Sequence, residues 1–308
     1  MNGKHIVLAG GSGFLGSELT QALVSRGART TVLTRAEKTT PESRVRYVVW
    51  DGRSLGKWTE ALEGADAVIN FSGKNVNCRL TERNRRVLAS SRLEAVKILS
   101  EAVCLCRNKP GVFVHCSAVG FYGDTDRICD ERSVAGTGML AEITNTCEAA
   151  FNGYEFNDTR KVVLRLGVVL GNAGGALPVL VRLTRCFLGG SVGNGRQGVS
   201  WIHVQDLNRI FLEALGNPSL AGVYNAVAPQ SVTNAELMRT LRSVLGRPWS
   251  PPAPAVLLRA MAYVIGINSE LILSGQRCLP TRLQQAGFHF EYKDLAHALQ
   301  NLSEPLGG

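Results

Sequence analysis

The stretch IVLAGGSGFLGSEL, residues 6–19, constrains this chain more than any other. An apolar run from Ile6 to Ala9 meets glycines at 10, 11, 13 and 16, after which Leu15, Leu19, Ala22 and Leu23 recur at helical spacing. The pattern reads strand, tight turn, helix. Gly10, Gly13 and Gly16 form G-x-x-G-x-x-G, a spacing that meets three demands of a dinucleotide turn: a sharp reversal, backbone approach to a pyrophosphate, and close helix–strand packing. The helix start would present free N–H groups to the phosphates, with the Ser12 hydroxyl in the same loop. Gly10, Ser12, Gly13, Phe14 and Leu15 are therefore the expected contacts. A purely structural turn uses glycine for the same conformational freedom, so the segment has to be weighed in context.

That context is a repeating one. Apolar runs of strand character recur at 29–34 (RTTVLT), 45–50 (VRYVVW), 67–73 (AVINFSG), 111–118 (GVFVHCSA) and 161–171 (KVVLRLGVVLG), with helical segments between most of them. This alternation implies a doubly wound α/β fold, a parallel sheet covered by helices on both faces. With 308 residues, 45% hydrophobic and 19% charged, the chain has ample material for a core and lies far from the composition of disordered proteins. After Gly171 the sequence turns glycine-rich, and from Ala228 helical segments and the proline cluster PWSPPAP dominate. The expected division is a nucleotide-binding domain over 1–227, with a substrate-side loop near 172–200, and a smaller C-terminal domain over 228–308.

Other classes are disfavoured. The apolar stretch at 255–267 is too short to span a bilayer and contains Arg259, so it reads as a buried helix. No membrane association is expected, and the N-terminal segment fits a first strand better than a signal peptide, which implies a cytoplasmic protein. The eight cysteines show no C-x-x-C pair and no zinc-ligand spacing; no metal is expected. A net charge of +9 suits anionic small molecules, but without a recognition motif it gives no case for nucleic acid.

The end of the second strand speaks to cofactor choice. NAD sites place an acid there to accept from the ribose 2′-hydroxyl, whereas this chain has Thr34 and Arg35. Arginine can clamp a 2′-phosphate bidentately and Lys38 can assist as a point charge, which points to NADP.

With GGSGFLG, NFSG at 70–73, SSRLEAV at 90–96, SAVGFYG at 117–123, RLGVVLG at 165–171, GNGRQGVSWIHVQDL at 193–207, YNAVAP at 224–229 and LPTRLQQAGFHFEYKDLAHAL at 279–299, the chain resembles an atypical short-chain dehydrogenase/reductase. It is most similar to the epimerase-family protein group 39U, whose members are labelled sugar-nucleotide epimerase-like or cell-division-inhibitor-like. The resemblance runs nearly end to end. It implies an extended Rossmann-type NADP-binding fold with a small C-terminal domain. It also implies further cofactor contacts at Phe71 and Ser72 after the fourth strand, at Arg92, and at Val168 after the sixth.

One part of the superfamily pattern is missing. Catalysis there normally uses Tyr-x-x-x-Lys, the lysine lowering the tyrosine pKa. None of the six tyrosines here has lysine four residues on, and aligning the third long helix by Glu148 puts Leu140 and Thr144 at the two positions. Ser117 after the fifth strand and Tyr122 in the following loop are the substitutes expected to orient a carbonyl and give a proton. Arg79, Arg83 and Arg86 at helical spacing form a basic surface next to the expected cleft, and His203 with Asp206 is read as a helix cap. Two functions fit: an NADP(H)-dependent oxidoreductase or nucleotide-sugar epimerase-like protein for a small anionic substrate, and a non-catalytic NADP(H)-sensing binding protein. The residues leave the oligomeric state undetermined.

Overall fold

The computed structural model describes residues 1–79, 81–256, 268 and 270–303. In chain order the strands are β1 (His5–Ala9), β2 (Arg29–Thr34), β3 (Val45–Val49), β4 (Ala67–Asn70), β5 (Val112–Ala118), β6 (Ile128–Cys129) and β7 (Arg160–Leu166). They continue with β8 (Val168–Leu170), β9 (Gly198–Val199), β10 (Trp201–His203), β11 (Gly222–Ala226), β12 (Val232–Thr233) and β13 (Arg277–Cys278). The long helices are α1 (Phe14–Val24), α2 (Glu82–Leu105), α3 (Met139–Asn152), α4 (Leu177–Arg185), α5 (Val204–Gly216) and α6 (Asn234–Val244). Further helices follow: α7 (Glu270–Leu273), α8 (Thr281–Gln285) and α9 (Leu295–Ser303).

Seven strands form one sheet in the order β11-β7-β5-β4-β1-β2-β3, every pairing parallel. Both faces of its central strands are buried, which is why they read as unbroken apolar runs. Ile6, Leu8 and Val32 meet Leu19 and Leu23 of α1 and Ile210 and Phe211 of α5. On the other face Val7, Ala9, Leu33 and Phe113 meet Val96 and Leu99 of α2 and Ile143 and Phe151 of α3. The α/β expectation is thus met, with two local differences. No long helix joins β2 to β3 or β3 to β4; a loop and a 3-10 turn at Lys57–Ala61 suffice beside the edge strand. The run 161–171 also divides at Gly167, where a Cβ would stand 2.5 Å from the Ser200 carbonyl oxygen. Beyond it β8 leaves the sheet to pair with β10.

The later chain packs beside β8 and β10. Leu170 and Trp201 share a core with Leu177 of α4, Leu237 and Leu241 of α6, and Ala298 and Leu299 of α9. A capping box starts α6: Thr233 Oγ1 accepts from the Glu236 N–H, and the Glu236 carboxylate accepts from the Thr233 N–H. β12 pairs with β9, and β13 returns to pair with β6. The expected buried helix at 255–267 falls mainly on residues 257–267, outside the described residues.

His203 and Asp206 anchor this layer. As expected, His203 caps α5, its Nδ1 accepting from the Gln205 N–H at 3.1 Å. Buried Asp206 accepts the N–H groups of Glu291 and Tyr292 at 3.0 and 2.9 Å and pairs with Arg209, so it ties the C-terminal chain to α5. Burial lowers the pKa of His203 to about 4, against the opposing charge of Asp206. Burial does the same to His115, which lies beside the Phe151 ring.

These histidines make stability pH-dependent. An unfolded histidine takes up its proton near 6.5 and these two only near 4, so between those values the unfolded chain holds more protons and stability falls as pH drops. Denaturant titrations from pH 7 to 4.5 should show a progressive loss on the order of 2 kcal/mol for each histidine. His115→Gln and His203→Gln should each flatten that slope.

Candidate functional site

The sheet order reverses between β1 and β4, and in open parallel sheets ligands bind outside the carboxyl ends of the strands at such a point. The glycine turn lies there. Gly10 has φ +71, and a Cβ on it would come within 2.9 Å of Ser72 Cα, so the first glycine serves both the turn and its approach to the end of β4. Gly16 faces Gly11, where an added Cβ would lie 2.3 Å from Gly11 Cα; α1 could not seat so closely with any side chain. Gly13 differs. It is the N-cap of α1 at φ −88, no side chain caps the helix, and a Cβ there would meet nothing within 4 Å. The first N–H groups of α1 therefore lack an intrahelical partner and a side-chain cap, and the space beside Gly13 is open. The buried Ser72 Oγ, close to Gly10, is likewise unpartnered. Open space before a helix N-terminus, with an orphaned hydroxyl at its edge, fits a pyrophosphate.

The other expected contacts divide. Arg35 and Lys38 are exposed just beyond the carboxyl end of β2. Ser12 is half-buried in the turn. The Phe14 ring is turned into the loop at 171–175, where a Cβ on Gly171 or Gly174 would stand 2.7 or 2.8 Å from it. Leu15 packs on the α1 side of the core. Both side chains are thus partly engaged with the chain itself. Phe71 packs edge-to-face on Phe211, with ring centroids 5.2 Å apart. Arg92 is occupied by the chain itself, donating to the carbonyls of Lys74 and Leu88 at 2.8 and 3.0 Å and lying against Gly73. Val168 stands 37% exposed at the start of β8. The basic face is smaller than its spacing suggested. Thr81 caps α2, so Arg79 precedes the helix that carries Arg83 and Arg86, and Arg86 is paired with Glu82.

Beside the cradle, strand register builds a polar cluster. Ser117 on β5, Arg165 on β7 and Asn225 on β11 are direct cross-strand partners near the carboxyl ends of their strands. Glu148 reaches this row from α3 and Tyr122 from a 3-10 turn after β5. Arg165 donates to Glu148 Oε1 at 3.0 Å and Oε2 at 2.7 Å, both side chains only 5% exposed. Ser117 Oγ donates to Glu148 Oε1 at 2.5 Å. The Tyr122 hydroxyl donates to Asn225 Oδ1 at 2.8 Å and accepts from Arg165 Nη1 at 2.9 Å. The Arg165 guanidinium also lies 3.4 Å from the centroid of the Phe121 ring.

The chemistry of the cluster follows from this allocation. Burial pushes the Tyr122 phenol up to about 12, although Arg165 pulls the other way. The sequence expectation is that Tyr122 gives a proton from the loop after the fifth strand. It is instead 2% exposed, its hydroxyl already engaged in both directions. Burial alone would lower the pKa of Arg165, but the bonds and charge of Glu148 outweigh it and raise it, so the arginine stays charged. Half-buried Ser117 donates its hydroxyl hydrogen to Glu148 in a hydrogen bond, and its oxygen retains lone pairs that can accept. Glu148, Arg165 and Asn225 were not singled out as site residues from the sequence. The signal was present: an arginine inside KVVLRLG and an asparagine inside GVYNAV are polar residues in otherwise apolar strands.

Comparison with known proteins places the chain. Residues 6–227 match the NAD dependent epimerase/dehydratase family, and residues 253–302 match a domain of unknown function, DUF1731. The chain belongs to the NAD dependent epimerase/dehydratase family. It is 35% identical to an epimerase family protein of Staphylococcus saprophyticus, covering 97% of this chain and 99% of that one. It is 35% identical to a chloroplastic epimerase family protein SDR39U1 homolog of Arabidopsis thaliana, covering 97% and 86%. The crystal structure of human epimerase family protein SDR39U1 with NADPH is similar at TM-score 0.88 and 32% identity, over 98% of this chain and 100% of that one. The resemblance to group 39U read from the motifs is thereby borne out, as is the Rossmann-type fold.

The cluster yields a stability test. Glu148→Ala leaves Arg165 buried without its counter-charge and should cost about 3–5 kcal/mol in denaturant unfolding. The double variant Glu148→Ala/Arg165→Met should recover part of that loss, because it removes the stranded charge as well.

Proposed function

We propose that the protein binds NADP(H) in the cradle at β1, β2 and β4 and acts as an oxidoreductase or epimerase-like enzyme on a small hydroxyl-bearing substrate. The observation that carries the cofactor reading is the open space before the uncapped α1 N-terminus, bounded by Gly10, Gly13 and the unpartnered Ser72 hydroxyl. Arg35 and Lys38, in the place of an acid, support the 2′-phosphorylated form. The human relative solved with NADPH supports the same choice.

The nicotinamide would supply or take a hydride. Ser117 is the group this chain offers to the substrate: its proton is committed to Glu148, so its oxygen is set to accept from a substrate hydroxyl. Arg165 and Glu148 hold it in that state. Tyr122 acts at one remove, positioning Arg165. A second reading, a non-catalytic NADP(H) sensor, is favoured by one specific fact: the hydroxyls of both Ser117 and Tyr122 already donate hydrogen bonds to neighbouring side chains.

Calorimetry should find NADPH bound more tightly than NADH by about 1.5–3 kcal/mol, the scale of a charge-assisted hydrogen bond, and Arg35→Ala should erase most of that difference. Gly13→Val should fold, because φ −88 suits valine and nothing stands within 4 Å, yet lose cofactor binding. Equal affinity for the two cofactors, or a folded Gly13→Val that binds normally, would overturn the reading.

The two functions separate in a screen of alcohols, carbonyl compounds and nucleotide sugars with NADP+ or NADPH. An enzyme should lose about 10²-fold in Ser117→Ala, the scale of losing a group engaged with the reacting oxygen. Binding of NADPH without turnover across the screen favours the sensor.

A further inference from the structure

The amino ends of β1, β2 and β3, away from the cradle, border a second concavity of about 390 Å³. Arg29, Arg44, Arg46 and Lys57 line it, with Glu60 the one carboxylate among the lining residues and His5 beside them. Register forces the crowding. Thr31 pairs with Arg46, and the Thr30 N–H donates to the Arg44 carbonyl, so three arginines issue from adjacent strand ends. Like charges on neighbouring strands repel.

Among the described residues none of the four cations has an acidic ion-pair partner. The described ion pairs involve Lys4, Arg53, Arg86, Arg165 and Arg209, and Asp66, the acid next to His5, is spent on Lys4 and on the His5 N–H. The fields converge on His5. Burial first, then the charges of Arg29 and Arg46, hold its pKa below the usual value, against the pull of Asp66. Its Nε2 lies 2.9 Å from Thr31 Oγ1.

We propose that this concavity is a second binding site, built for a small phosphorylated molecule. Guanidinium forks match phosphate oxygens bidentately and Lys57 adds a point charge. The volume is in the range of small-molecule sites. Because the cations gather around one concavity rather than along a stripe, a compact anion fits better than a nucleic-acid strand. The site is separate from the cofactor cradle: β2 is six residues long, which puts about 17 Å between its two ends.

Pyrophosphate titrated calorimetrically into the full chain at low ionic strength is the test. Binding is expected to weaken about tenfold or more in Arg29→Ala/Arg46→Ala and several-fold in Lys57→Ala, with exchange of guanidinium contacts setting the scale. It should persist in Gly13→Val/Arg35→Ala, which disables the cradle. Thermal melts accompany each variant, and Lys57, exposed on a short turn, can be changed without touching a strand. Wild-type affinity in both pocket variants, a loss confined to the cradle variant, absence of saturable pyrophosphate binding, or binding of single-stranded RNA alone would overturn the proposal.

Discussion

A parallel sheet covered on both faces admits a charge only where the charge is answered, and here the answer is the pair of Arg165 with Glu148. The arginine is in a strand, the glutamate in the helix that covers it, and both are almost sealed from solvent. Such a pair contributes little net stability over an apolar substitute, but breaking it is costly. Its value is positional. Through it β5, β7, α3 and the turn carrying Tyr122 share one hydrogen-bonded unit, and β11 joins through Asn225. Asn225 extends the unit further, because its side chain donates to the Leu279 carbonyl and its N–H to Glu131. The C-terminal chain is thereby held against the end of the sheet where the candidate site lies.

The cradle and the cluster work by opposite means. At the cradle, glycine removes matter: Gly10 and Gly16 permit contacts that a Cβ would forbid, and Gly13 leaves a space that a Cβ would enter. In the cluster, polar groups are packed until each has a partner, and the Ser117 oxygen keeps lone pairs that can accept. An arrangement of that kind accepts hydrogen bonds and does not readily give protons.

How much of this was legible in the sequence varies with the range of the interaction. The strand over 29–34 and the helix after His203 were readable almost to the residue, because apolar runs and caps are local signals. The division of 161–171 at Gly167 was not, since its cause is a carbonyl of Ser200, distant in sequence. Phe14 and Arg92 show the same limit. Both belong to recognisable motifs, but the ring of one fills a loop 160 residues away and the guanidinium of the other caps carbonyls of its own chain.

By itself, then, the sequence determined the class of fold and the turn on which a dinucleotide reading rests, because hydrophobic period and glycine spacing act between near neighbours. Only the tertiary structure decided which polar side chains share a site. Ser117, Arg165 and Asn225 are brought into line by strand register, and nothing within any one segment specifies which residue of another strand will stand opposite. The same holds for Glu148, which is one acid on a helix in the sequence and becomes the counter-charge of the sheet only when that helix is laid across it.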